Sequence, residues 1–247
     1  MQSSVAIMGE MTLLFGRALR AMCSRRPSRG TLAVQLHEVG VRSLSIVNLT
    51  AVFTGMVMAL QLGSFLSTFG AKIFVSRVVG IAIVTELGPV LTALMIGGRV
   101  GAGMAAELGT MKVTEQIDAL RALGTDPVAY LVVPRLIAIV IMLPLLTAMA
   151  NMIGILGGML IAWGELSVPP SFYMNSLLQY LVLGDLWKSL SKAVVFAVII
   201  GVIACYNGMN AYGGADGVGK ATTASVVQAS VTVLVANFFL SKLLMPL

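Results

Sequence analysis

The sequence predicts an all-α integral membrane protein: an N-terminal interfacial amphipathic helix, then five transmembrane helices, with a cytoplasmic helix between spans two and three. Three observations carry this. Of 247 residues 58% are hydrophobic and only 11% charged, with a mean hydropathy of +0.97, whereas an average soluble chain is about one quarter charged. Four uncharged stretches, 43–71, 136–164, 193–215 and 221–241, each reach the roughly 20 residues that cross a hydrocarbon core of about 30 Å. A fifth, 78–106, has the same character apart from Glu86 and Arg99. Lipid offers backbone groups no hydrogen bonds, so all five are expected to be helices.

Residues 5–22 differ from these spans. Ile7, Met8, Met11, Leu14, Phe15, Ala18, Leu19 and Met22 recur at i, i+3 and i+4, while Glu10, Arg17 and Arg20 lie off that stripe. This is the pattern of a helix lying in the membrane interface, and the short apolar run followed by RRPSR argues against a sixth span. The first 20 residues lack a continuous apolar core, so no cleavable signal peptide is expected. The chain is accordingly divided into an interfacial helix with a basic connector, 1–42, and a five-span domain, 43–247.

Orientation follows from lysine and arginine. With the N-terminus cytoplasmic, the inner segments hold Arg17, Arg20, Arg25, Arg26, Arg29, Arg42, Lys112, Arg121, Arg135 and Lys220, and the outer ones only Lys72, Arg77, Lys188, Lys192 and Lys242. This asymmetry favours an inner N-terminus, and five spans then put the C-terminus outside. The net charge of +6 therefore speaks to topology and anionic lipid rather than to nucleic acid. Between spans three and four, Trp163, Phe172, Tyr173, Tyr180 and Trp187 flank Pro169-Pro170, as expected of an outer interfacial helix after the proline break. Cys23 and Cys205 have neither CxxC nor zinc-ligand spacing, and His37 is the only histidine, so neither a disulfide framework nor a histidine-cluster metal site is expected.

Glu86 is the sharpest candidate for function. A carboxylate within a span costs several kcal/mol unless it is protonated, paired or facing water. Pro89 cannot donate to the carbonyl of Thr85, and with Gly88 it is expected to kink the helix beside the acid. Two roles are open for Glu86, lining a cavity or bonding a neighbouring helix. Arg99 is 13 residues on, roughly 20 Å along the axis, so it is not the partner of Glu86; it can snorkel to the cytoplasmic end. Lys192 opens span four from the outer side and is open to meeting a headgroup or anchoring the interface. Leu62, Phe65, Leu66 and Phe69 share one face of span one, suited to an acyl chain, to bulk lipid or to a neighbouring helix. Gly97 with Gly101, Gly154 with Gly158, and Gly55 with Ala59 and Gly63 are spaced for close helix packing.

Two apparent nucleotide motifs fail on context. GADGVGK at 214–220 matches GxxxxGK but continues with Ala221 and follows a span rather than a strand; it reads as a glycine-rich turn. The glycines at 101–103 lie within a membrane helix. The segment 107–123 is different: Glu107, Thr110, Thr114, Asp118 and Arg121 form a polar stripe and Val113, Ile117 and Leu120 an apolar one, with Gly124 and Asp126-Pro127 as a stop. Such a helix can lie on the inner membrane surface and meet a cytoplasmic motor.

The stretch ELGPVLTALMIGGRVGAGMAAELGTMKVTEQIDALRALGTDPVAYLVVPR, with Gly55-Met56-Val57 and Gln61, KAVVFAVIIG from Lys192, and NG…GGADGVGKATTASVV from Asn207, resembles the MlaE family. These are permease subunits of bacterial lipid ABC transporters that work with MCE proteins, and the resemblance covers about 32–245. It implies a homodimeric permease in the bacterial inner membrane that moves phospholipids or related lipids, with a periplasmic C-terminus. It further implies two cytoplasmic ATPase subunits that bind the ATP and magnesium, an MCE hexamer on the outer face and, in some systems, a STAS-domain partner. This chain itself would need no cofactor or metal and perform no catalysis. Glu107–Leu123, with Glu107, Lys112, Glu115, Asp118 and Arg121, corresponds to the helix that couples to the ATPase. Glu86, Phe65, Leu66, Phe69 and Lys192 correspond to the lipid cavity. Some relatives carry arginine where this chain has Thr85, which leaves the charge compensation of Glu86 open. The competing reading is an ion-coupled secondary transporter with Glu86 as its proton site, disfavoured by five spans without an inverted repeat. An intramembrane enzyme lacks GxSxG, HExxH or paired membrane aspartates.

Overall fold

A computed structural model describes residues 4–24 and 29–244. Arg25 and Arg26 of the basic connector lie outside the described residues. All regular elements among the described residues are helical: α1 Ser4–Ser24, α2 Arg29–Val39, α3 Leu44–Thr68, α4 Val75–Ala82, α5 Gly88–Ile96, α6 Ala102–Val113, α7 Gln116–Ala122, α8 Val133–Gly164, α9 Pro170–Tyr180, α10 Leu183–Met209 and α11 Gly214–Leu244. Five helical stretches, 30–68, 72–113, 128–164, 183–209 and 214–244, are long and apolar enough to cross a membrane.

The second span is not uniform. Wide π-turns at Ile83–Leu87 and Gly97–Gly101 separate α4, α5 and α6, and such insertions bend a helix and concentrate at functional positions. Where a kink at Gly88-Pro89 was expected, a π-turn ends at Leu87, just before Gly88, with Glu86 inside it. The fourth span runs from Leu183 to Met209 instead of 193–215. Its start was hidden because Asp185, Lys188 and Lys192 interrupt the uncharged run, but Lys188 pairs with Asp185 at 3.3 Å and Lys192 is buried. Its end comes early because Gly213 and Gly214 take φ of 90° and 68°, left-handed values that favour glycine and stop a helix. The GADGVGK stretch consequently forms the opening turns of α11, not a free turn.

The chain divides into two compact units. The first, 1–43, 96–142 and 195–236, is built on Leu108, Ile117, Val132, Leu136 and Cys205, with Ala18 of α1 buried among them. A side chain at Gly208 would run into Ala105 and Leu108, and one at Gly201 into Leu136. Arg99 Nη1 donates to Ser43 Oγ at 2.6 Å and to the Glu38 carbonyl at 3.3 Å.

The second unit comprises 44–95, 143–194 and 237–247. Here α3 and α8 meet through their glycines: a side chain at Gly55 would collide with the Gly154 backbone, and one at Gly157 with the Val52 carbonyl. The small-residue spacing is therefore used for backbone-to-backbone approach, which maximises contact where water exclusion offers little. Ala59, Val75, Val79 and Ile83 form one cluster, and Val84, Ile155, Ala162, Tyr173 and Leu177 another. Of the aromatic residues flanking Pro169-Pro170, Trp163 and Trp187 are exposed, whereas Tyr173 is fully buried against α8.

Candidate functional site

The second unit holds an ionic cluster among its apolar helices. The π-turn sets Glu86 at a bend of the second span, and α10 carries Lys192 to it. Lys192 Nζ donates to Glu86 Oε1 at 2.7 Å, to the Thr85 carbonyl at 2.9 Å and to Ser241 Oγ at 2.8 Å, which occupies all three ammonium donors. The last helix supplies the rest: Asn237 Nδ2 donates to Glu86 Oε2 at 3.0 Å, and Ser241 Oγ lies 2.8 and 3.0 Å from the two carboxylate oxygens. The Lys192 side chain is 3% exposed and that of Glu86 32%, so the cation is sealed and the acid keeps one open side. Pro89, four residues on, has no N–H to give the Thr85 carbonyl, and the lysine donates to it. Lys192 does not open its helix; it sits ten residues into α10.

Of the residues expected to line a lipid cavity, this cluster joins Glu86 and Lys192 and contains none of the other three. Phe65 and Phe69 are exposed and meet edge to face at 5.1 Å, while Leu66 packs on the Ala59, Val75, Val79 and Ile83 core. Asn237 and Ser241 were missed. Their signal was present, since two polar residues four apart in an apolar last span share one face.

The segment 107–123 lies in the first unit and is not the single helix expected there. α6 ends at Val113 and α7 starts at Gln116, because Glu115 takes a left-handed φ of 61°. Thr110 and Thr114 each donate from the side chain to the carbonyl four residues back, which competes with helix continuation. The break brings Lys112 Nζ to Asp118 Oδ2 at 2.8 Å, and Arg121 Nη1 reaches Oδ1 at 2.9 Å. On an unbroken helix positions 112 and 118 would be about 9 Å apart along the axis and about 120° apart around it. The Lys112 hydrogen bond holds the Asp118 carboxyl below the usual carboxylate range, so this tie is complete above about pH 4 and is lost as pH falls through the lowered value. Of the apolar stripe, Ile117 is buried in the core of the first unit and Leu120 packs beside it. Glu107 bonds Arg135 at 2.9 Å, whose side chain is 7% exposed. Glu107 is thus committed partly to the fold, whereas Glu115 is exposed. Glu115→Gly relieves the left-handed backbone and is expected to raise stability by about 1 kcal/mol in denaturation assays.

The sequence model of the family Permease MlaE matches residues 32–243. The chain belongs to the MlaE permease family. Its relatives include a probable ABC transporter permease protein of Rickettsia typhi, 46% identical over 210 residues, covering 85% of this chain and 81% of the relative. Another, from Synechocystis, is 42% identical over 231 residues, 94% of this chain and 88% of the relative. The Arabidopsis thaliana chloroplast protein trigalactosyldiacylglycerol 1 is 38% identical over 224 residues, 91% of this chain and 64% of the relative. This MlaE-family chain is thus a multi-pass membrane permease subunit of the ABC transporter class. No group of three or more histidine, cysteine, aspartate or glutamate side chains suited to a metal occurs among the described residues.

Proposed function

We propose that this chain is the lipid-moving subunit of an ABC transporter in a bacterial inner membrane. It works as a homodimer with two cytoplasmic ATPase subunits, an MCE hexamer on the outer face and, where present, a STAS-domain protein. The N-terminus is cytoplasmic and the C-terminus periplasmic, as the charge asymmetry favours. The observation that carries the reading is the Glu86–Lys192 cluster: a sealed cation and a half-open carboxylate within apolar helices suit the polar headgroup of a lipid whose chains lie in an apolar surround. The exposed rings of Phe65 and Phe69 offer acyl chains a surface, and the lipid in the name of the Arabidopsis relative supports a lipid cargo.

The Lys112–Asp118–Arg121 tie favours the segment 107–123 as the surface that transmits ATPase motion, because it stiffens a broken helix that would otherwise hinge. A proton-coupled cycle is less well supported. A proton carrier must take up and release its proton each turn, and here a proton on Glu86 would displace one of the donors Lys192, Asn237 and Ser241. The test is transport of fluorescent phospholipid in proteoliposomes. Transport is expected only with the ATPase subunits and ATP present; transport by this chain alone under a proton gradient would overturn the reading.

A further inference from the structure

Two cavities of the first unit adjoin α1. One, of about 430 Å³, is bounded by Met8, Met11 and Phe15 of α1 and by Ile199, Val202 and Ile203 of α10. The other, of about 240 Å³, is bounded by Glu10 and Arg17 of α1, Arg121 of α7, Tyr206 and Met209 of α10 and Asn210 just after it. On α10 the second set repeats the first seven residues later, so the two cavities share one face of that helix and are offset by about 10 Å along it. α1 therefore lies over this face with its methionine and phenylalanine edge beside the apolar stretch and its Glu10 and Arg17 edge beside the polar end. With α1 lying in the membrane interface, as its sequence pattern predicts, this charged edge would meet lipid phosphates.

The charges in the smaller cavity are unequal. The Glu10 carboxylate accepts from the Tyr206 hydroxyl at 2.5 Å, and two helical turns, about 10 Å, separate it from Arg17. Arg17 makes no ion pair among the described residues. Arg121 gives Nη1 to Asp118 and keeps further donors of its planar guanidinium, while Lys112 shares the Asp118 charge. Leu13, Leu14 and Val128 complete the walls with apolar surface, so the cavity pairs two guanidinium groups with an apolar flank.

We propose that this cavity is a second lipid site, separate from the Glu86 cluster, which takes the phosphate of an anionic phospholipid between Arg17 and Arg121. The lipid bridges α1 and α7, so the charge of the inner leaflet bears directly on the segment offered to the ATPase. The proposal rests on the cytoplasmic placement of α1 and α7 argued above, but its test reads binding and needs no transport.

The test uses the full chain in phosphatidylcholine nanodiscs. Trp163→Phe and Trp187→Phe remove the native tryptophans, and Leu13→Trp places one at the cavity, where Leu13 is 64% exposed. Phosphatidylglycerol with brominated chains is expected to quench this tryptophan at about fivefold lower mole fraction than brominated phosphatidylcholine, the preference that one arginine near the surface supplies. Adding Arg17→Gln and Arg121→Gln is expected to make the two lipids equal. Equal quenching before those changes, or no quenching by either lipid, overturns the site. So does a preference that survives in the arginine variants. Loss of the preference on adding inorganic phosphate would assign the cavity to a soluble anion and overturn the lipid.

Discussion

Lys192→Met is expected to be the most damaging single change in the spans, at about 3 kcal/mol of stability read from thermal denaturation in detergent. Removing one partner of a buried pair strands the other, typically at about 3–5 kcal/mol; the lower end applies because the Glu86 side chain keeps 32% of its surface exposed. The change also frees the Thr85 carbonyl, which Pro89 cannot satisfy and which accepts from Lys192. Glu86→Gln should cost less, since an amide retains contacts to Asn237 and Ser241 and forfeits only the charge-assisted part of the lysine bond. Glu86→Leu combined with Lys192→Met removes both charges, and replacing a buried pair by apolar side chains is often close to neutral for stability. The proposed role separates from a structural one in that double variant, which should fold and fail to move lipid.

The second large effect concerns coupling. Glu115→Lys with Asp118→Lys is expected to abolish lipid-stimulated ATPase activity in the assembled complex while the permease inserts and melts almost as before. Both side chains lie at the surface, Asp118 at 46% exposed, and exposed ion pairs contribute little to stability. Reversal at 118 also sets three cations, Lys112, the new lysine and Arg121, around the former carboxylate position, so the tie across the α6–α7 break becomes repulsive. Unchanged stimulation would remove this segment from the ATPase interface.

The parts of this architecture that were legible in the sequence are those set by local composition. Apolar length gave five spans, the i, i+3, i+4 stripe gave α1, and the glycine spacing pointed to helix crossings such as Gly55 against Gly154. Ends and breaks were less legible, for identifiable reasons. Lys192 looked like the limit of a span because a lone lysine in an apolar run is costly, and its acid lies 106 residues away in sequence. The break at Glu115 carries no glycine or proline; threonine side chains and the Lys112–Asp118 bond favour it, and that bond exists only once the helix has broken. Pro89 signalled a local disturbance correctly but not its form, since a π-turn depends on what accepts and donates around it, and Lys192 reaches the Thr85 carbonyl from another helix.

The central claim is that the Glu86–Lys192 cluster serves lipid rather than the fold. It is tested most directly by ATP-dependent transfer of fluorescent phospholipid in the reconstituted complex, comparing the native chain with the Glu86→Leu, Lys192→Met double variant at equal amounts of folded protein. The predicted result is near-native thermal stability with transport reduced at least about tenfold, the loss of about 1.4 kcal/mol of interaction with the moving lipid. Native transport per folded molecule in the double variant would contradict it.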